Sequence, residues 1–132
     1  MYLLDTNIIS DVAHNPIGPV ARKLEEIDPA AVVSSVVVAA EVWYGIENNP
    51  SYRSRARTEA FMKTLNVLGM EPEVAKTYGR IRVELKKSGS ALGPNDLLIA
   101  AHAHSLGATL VTDDDRAFSR VPGLKVENWL RD

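Results

Sequence analysis

The 132-residue chain contains no cysteine. That absence excludes disulfides and thiolate metal sites, and it makes a reducing, cytoplasmic compartment the expected home. No apolar run approaches the roughly 20 residues a membrane span needs. The first residues show no charged segment followed by an apolar stretch, so no secretory signal is expected either. Charge of one sign is also missing: 17 acidic residues face 15 basic ones, for a net charge of −2. This balance argues against a nucleic-acid binder that works through a strongly basic surface. A nuclease whose acidic site is neutralised by metal ions stays compatible with it. Internal repeats, low-complexity tracts and linkers are absent, so residues 1–132 are read as one domain. A domain of this size buries about two-thirds of its unfolded surface.

What is present begins at the first residues, Met1-Tyr2-Leu3-Leu4-Asp5-Thr6-Asn7. Tyr2, Leu3 and Leu4 form a short apolar run that stops at a carboxylate, the pattern of a buried parallel strand. Asp5 then lies at the carboxyl end of the first strand, the edge where open α/β sheets bind ligands. It is equally suited to capping the helix that follows. That helix is expected from Thr6 to Ala13, and the break His14-Asn15-Pro16-Ile17-Gly18-Pro19 ends it. A second helix carries Val20, Ala21, Leu24 and Ile27, and a second strand covers Ala31–Val33. Ser34 or Ser35 caps a helix reaching about Glu47, although Val36, Val37 and Val38 are β-branched and disfavour it.

A basic segment with Arg53, Arg55 and Arg57 follows and continues as a helix to Leu65; these arginines either meet RNA phosphates or form a solvated face. A short strand is expected within Asn66–Met70. Val74, Tyr78, Ile81 and Leu85 define an amphipathic helix that ends at Lys86-Lys87-Ser88-Gly89. Asn95 is the expected cap of the next helix. That helix is apolar nearly all round from Leu97 to Leu106, belongs in the centre of the domain and ends at Gly107. Thr109–Thr112 is a strand, and a single helical turn begins at Asp115-Arg116 and reaches Arg120. Leu124–Glu127 is a last strand. Alternating strands and helices imply a mainly parallel sheet covered on both faces.

Four acidic positions stand apart by context. Asp5 ends the first strand, Glu41 sits among Val38, Ala39, Ala40, Val42 and Trp43, Asp96 opens the most apolar helix, and Asp113-Asp114-Asp115 ends the strand at Thr112. Taken singly, each has a structural explanation: a cap, a buried partner, a helix-dipole contact or a solvated turn. Strand ends at 5 and 112 share one sheet edge, so their carboxylates can converge. Two carboxylates about 4 Å apart repel by about 4 kcal/mol at an effective dielectric near 20. A domain with a total margin of about 5–15 kcal/mol does not gather several of them without compensation. A hard cation such as Mg²⁺ relieves the repulsion and supports phosphodiester cleavage. His14, His102 and His104 form no credible metal set, and His102 is expected to be buried and hydrogen-bonded. Trp43 is expected to pack under the sheet rather than stack on bases, a role also open to Tyr44.

The blocks Leu3-Leu4-Asp5-Thr6-Asn7, Glu41 with Gly45-Ile46-Glu47, Pro94 to Ala103, Gly107 to Thr112, and Phe118 to Leu124 through Asn128-Trp129 resemble the PIN-domain ribonucleases, above all the VapC toxins. The resemblance spans essentially the whole chain. It implies a three-layer α/β/α fold and a Mg²⁺- or Mn²⁺-dependent endoribonuclease that cuts structured RNA, tRNA or rRNA. It also implies a homodimer and a cognate VapB-type antitoxin. By position, Asp5, Glu41 and Asp96 match the first three acidic residues of that family. The fourth is assigned to Asp114 with Asp115 as the alternative, since Ala117 occupies a place where relatives often carry Asp. Asp5, Asp96 and Asp114 are the implied metal ligands, with Thr112 and Asn7 in support. Two alternatives stand beside this reading. One is a phosphatase of the haloacid-dehalogenase type, which usually has a second Asp two residues after the first, where this chain has Asn7. The other is a PIN-like module that only binds RNA or protein.

Overall fold

A computed structural model describes residues 1–131 of the chain. Tyr2, Leu3 and Leu4 form β1 (Tyr2–Leu4), with Leu3 and Leu4 wholly buried. Asp5 ends the strand by becoming the N-cap of α1 (Thr6–His14), its Oδ1 accepting the Thr6 N–H at 2.8 Å. Burying Leu3, Leu4, Ile8 and Ile9 at this junction contributes roughly 1.5–3 kcal/mol per side chain. After the turn at Pro16–Gly18 comes α2 (Pro19–Glu25), with proline at its first position. One 3-10 turn (Pro29–Ala31) then leads into β2 (Val32–Ser35).

The second strand lies one to two residues beyond its expected place. The 3-10 turn takes up Ala31, and pairing of Ser34 and Ser35 with β3 (Asn66–Leu68) extends the ladder. Ser34 also donates its hydroxyl to the Leu4 carbonyl at 2.7 Å, fastening the end of β1. The cap of α3 (Val36–Asn48) is Ser35, whose Oγ accepts the Val37 N–H. Three successive valines open this helix. Burial of Val38 within the core outweighs their weak helix preference.

The chain continues through α4 (Tyr52–Thr64), capped by Ser51, then β3 and α5 (Pro72–Lys87). Val74, Ile81 and Leu85 of α5 are buried, as their spacing requires. Next is α6 (Pro94–Leu106), capped by Gly93 rather than by Asn95. Proline takes the first helical position because its missing N–H costs nothing there. Asn95 and Asp96 therefore lie inside the first turn. Helix α6 is buried on nearly every side, and Gly107 ends it at φ 66°, a left-handed value that suits glycine. Then follow β4 (Thr109–Val111), α7 (Asp115–Phe118) and β5 (Lys125–Glu127).

All five strands are parallel, in the order β3-β2-β1-β4-β5, within a three-layer α/β/α arrangement. From β1 the chain builds outward through β2 and β3, then returns to the other side of β1 with β4. The order reverses between β1 and β4, and the carboxyl ends of those two strands carry Asp5 and the Asp113–Asp115 loop. No helix among the described residues is long and apolar enough to cross a membrane.

Candidate active site at the carboxyl edge of the sheet

Asp5 is only 5% exposed, and both its oxygens are engaged. Oδ1 holds the Thr6 N–H, and Oδ2 accepts the Thr112 hydroxyl at 2.8 Å across the β1–β4 boundary. Thr112 Oγ1 in turn accepts the Asp114 N–H at 3.0 Å. One buried hydroxyl thus fastens two acidic residues to the same point. On the other side, the Thr6 hydroxyl donates to Glu41 Oε1 at 2.9 Å, drawing α3 towards the end of β1. Glu41 obtains the partner that a half-buried carboxylate requires, and that partner is a hydroxyl instead of an arginine.

Burial raises the pKa of Asp5 above the ordinary 3.8, against the opposing hydrogen bonds from Thr112 and Thr6, and the charges of Glu41 and Asp114 raise it further. Asp96, half-buried in the first turn of α6, is raised first by burial, then by Asp5, Glu41 and Asp114. The charges of Glu41 and Asp114 thus bear on both Asp5 and Asp96. Within the Asp113–Asp115 triplet, Asp114 is the member that acts on Asp5 and Asp96. Asp115 is lowered instead, chiefly by a hydrogen bond from Asn128. It begins α7 but caps nothing; its Oδ1 accepts from Asn128 and Arg131. Asn7 Oδ1 accepts the Asp113 N–H at 3.1 Å, so its role is to hold the loop rather than to touch Asp5.

Asp5, Glu41, Asp96 and Asp114 offer only oxygen donors, the chemistry that suits a hard cation. Among the described residues no group of three His, Asp or Glu side chains is placed to hold a metal ion. An ion that keeps several waters needs only one or two protein carboxylates. Two of the three histidines have hydrogen-bond partners other than the carboxylates. His14 Nδ1 donates to the Ser10 carbonyl and its Nε2 meets Ser54 Oγ, while buried His102 meets Ser35 Oγ at 2.8 Å.

One aromatic residue departs from expectation. Trp43 is 43% exposed and does not pack under the sheet, and Tyr44 beside it is 71% exposed. The buried face of α3 is formed by Val38, Ala39, Val42 and Ile46, and a residue beside Val42 points outward on a 3.6-residue period. Of the α4 arginines, Arg55 lines a cleft of about 160 Å³ that Glu41, Thr6 and His14 also line. Sequence reasoning misses Thr6 as the Glu41 partner, and it misses Asn128 and Arg131. Thr6 stood next to Asp5 with a hydroxyl able to reach a second element, but which element came near was a tertiary fact.

The raised carboxylates give a testable pH dependence. Protonating Asp5 and Asp96 favours the folded chain, so this contribution is complete below 3.8 and is lost as pH rises through the raised values. His102 has the opposite sign. Burial lowers it from 6.5, so its contribution holds above 6.5 and is lost as pH falls through the lowered value. Comparing Asp96→Asn with wild type in chelator cancels the histidine. The two should melt together near about pH 4, with the variant gaining the advantage as pH rises from there through the raised Asp96 value. A difference that stays flat across that range contradicts the coupling.

Fold and site together define an α/β/α domain with an acidic cluster where strand order reverses. The family model described as the PIN domain matches residues 2–124, and the chain belongs to that family. Ribonuclease VapC2 of Haemophilus influenzae (strain ATCC 51907 / DSM 11121 / KW20 / Rd) is 38% identical over 130 residues, 98% of each chain. The tRNA(fMet)-specific endonuclease VapC of Shigella flexneri is 36% identical over 129 residues, 97% of each. Among solved structures, the DNA-bound VapBC of Salmonella typhimurium superimposes with a TM-score of 0.88 at 32% identity, covering 97% of each chain. VapBC2 of Rickettsia felis bound to a promoter DNA fragment gives 0.87 at 32% identity, covering 97% of this chain and 98% of that one.

Proposed function

We propose that residues 1–132 form a single PIN domain that acts as the ribonuclease toxin of a toxin–antitoxin pair. Its reaction is divalent-metal-dependent hydrolysis of phosphodiester bonds in structured RNA, tRNA or rRNA. One observation carries the proposal: at the switch point of the sheet the Thr112 hydroxyl donates to Asp5 at 2.8 Å and accepts the Asp114 N–H at 3.0 Å, while the hydroxyl of Thr6, next to Asp5, holds Glu41 at 2.9 Å. Asp5, Asp96 and Asp114 are the proposed holders of Mg²⁺ or Mn²⁺. Such an ion supplies positive charge for the developing phosphate oxyanions and acidifies a water. Thr112 orients Asp5 through the 2.8 Å hydrogen bond, and Thr6 orients Glu41. Glu41 is proposed to take a proton from the attacking water. Arg55, which lines the same cleft as Glu41, is proposed to meet a substrate phosphate.

The alternative phosphatase chemistry wants a second carboxylate at position 7. Asn7 is instead occupied with the backbone of Asp113. Incubating the purified chain with total tRNA and with rRNA, in Mg²⁺ or Mn²⁺ and then in chelator, tests the proposal. Discrete RNA fragments in metal only, with no phosphate released from a generic monoester, are expected. Monoester hydrolysis without RNA cleavage would overturn it.

Relatives named as ribonucleases and neighbours solved as VapBC complexes support a VapB-type antitoxin partner. The outward face of α3 offers a surface for association, since Val36, Trp43 and Tyr44 lie exposed along it. The chain is expected to be a homodimer at micromolar concentration and to gain mass with its antitoxin, losing RNA cleavage as it does. Light scattering that finds monomer alone, and no change with the antitoxin, contradicts this. With no cysteine and no membrane-crossing helix among the described residues, the cytoplasm is the proposed site of action.

A further inference from the structure

Three carboxylates in a row leave β4, and their fates differ. Asp114 is joined through Thr112 to Asp5, while Asp113 and Asp115 are tied to the segment that follows β5. Asn128 Nδ2 reaches Asp113 Oδ1 at 3.1 Å, Asp115 Oδ1 at 3.2 Å and the Asp113 carbonyl at 3.4 Å. The Arg131 guanidinium donates to Asp115 Oδ1 at 3.1 Å and to the Asp113 carbonyl at 3.4 Å, and pairs with Asp113 Oδ1 at 3.9 Å.

The segment that bears these groups is itself anchored. Trp129 is buried between them in sequence, its ring centroid 5.3 Å from that of Tyr2 and its Nε1 donating to Glu127 Oε1 at 2.9 Å. The Asn128 amide has its orientation set by Leu130, whose N–H donates to Asn128 Oδ1 at 3.0 Å, leaving the NH₂ edge to face the loop. From the opposite side, Asn7 holds the Asp113 N–H, and Thr112 holds the Asp114 N–H. The loop is gripped at every residue except through the Asp114 side chain.

We propose that Asn128 and Arg131 are positioning residues: by holding Asp113 and Asp115 they present Asp114 alone to Asp5 and Asp96. This rests on reading the carboxylate edge as a divalent-cation site.

Charge and position predict opposite outcomes here. Asn128→Asp and Arg131→Gln each make the neighbourhood more negative, so Coulomb attraction alone would tighten cation binding. Loss of positioning weakens it, by about tenfold as for other groups that orient metal ligands. Mn²⁺ binding to the full chain, read from the electron paramagnetic resonance signal of the free ion, distinguishes them. Asn128→Asp keeps an oxygen for the Leu130 N–H but sets a carboxylate against two others. Should it fail to fold, Arg131→Gln remains, because that side chain is 57% exposed. Arg131→Lys, which keeps the charge, should restore most of the affinity. Folded variants that bind Mn²⁺ as tightly as wild type, or more tightly, overturn the clamp and leave the cation site standing. A wild-type chain that binds no Mn²⁺ overturns both.

Discussion

Asp5→Asn and Asp96→Asn should each abolish metal-dependent RNA cleavage while leaving the melting temperature unchanged or raised. The first half follows from the proposal that both carboxylates hold the cation. The second follows from their environment. Asparagine at position 5 can still cap α1 through its oxygen, since Asn and Asp are comparable N-caps. It carries no charge into a site where burial, Glu41 and Asp114 all penalise ionisation. At position 96 the carboxylate gains about 0.3–1 kcal/mol from the α6 N-terminus. Burial and the charges of Asp5, Glu41 and Asp114 act against that gain and raise its pKa. A variant that is inactive because it is unfolded would show a lower melting temperature. Full activity in either folded variant removes its residue from the site.

Asp114→Ala should lower cleavage by about one to three orders of magnitude, the loss typical of removing a group that stabilises charge at a reacting centre. Asp115→Ala should cost far less, within about tenfold, because the Asp113 carbonyl and carboxylate still receive Asn128 and Arg131. Its main effect should be a looser attachment of the segment after β5, seen as faster amide exchange at Trp129 and Leu130. Cleavage rates of the two variants on one RNA decide the matter. An inactive Asp115→Ala beside a near-normal Asp114→Ala would move the fourth acidic role by one residue.

The order and type of the elements were legible because the signals are local. The run Tyr2–Leu4 stopped by Asp5, the α5 face of Val74, Ile81 and Leu85, and the apolar α6 closed by Gly107 each announce themselves within a few residues. Boundaries were less legible where a neighbour decides them. Ser34 and Ser35 extend β2 because β3 lies alongside, and Gly93 displaces Asn95 as cap because Pro94 sits best at the first helical position.

The same division runs through the site. Each carboxylate stands out by its own context, and the parallel alternation brings Asp5 and Asp114 to one edge. Which groups would hold them was not readable. The Thr6–Glu41 bond spans 35 residues, Thr112–Asp5 spans 107, and Asn128 and Arg131 lie 13 and 16 residues beyond Asp115. Trp43 shows the converse failure. A tryptophan inside an apolar run suggests burial, yet the register of α3, fixed by Val38, Val42 and Ile46, turns it to the surface.

The central claim is that the carboxyl edge between β1 and β4 is a divalent-cation site built by Asp5 and Asp96 together with Asp114. Titration calorimetry of the purified chain with Mn²⁺, beside Asp5→Asn and Asp96→Asn, tests it most directly. Binding in wild type that is lost in both folded variants is the predicted result. Equal Mn²⁺ binding in all three proteins, or RNA cleavage by a wild-type chain that binds no Mn²⁺, would contradict it.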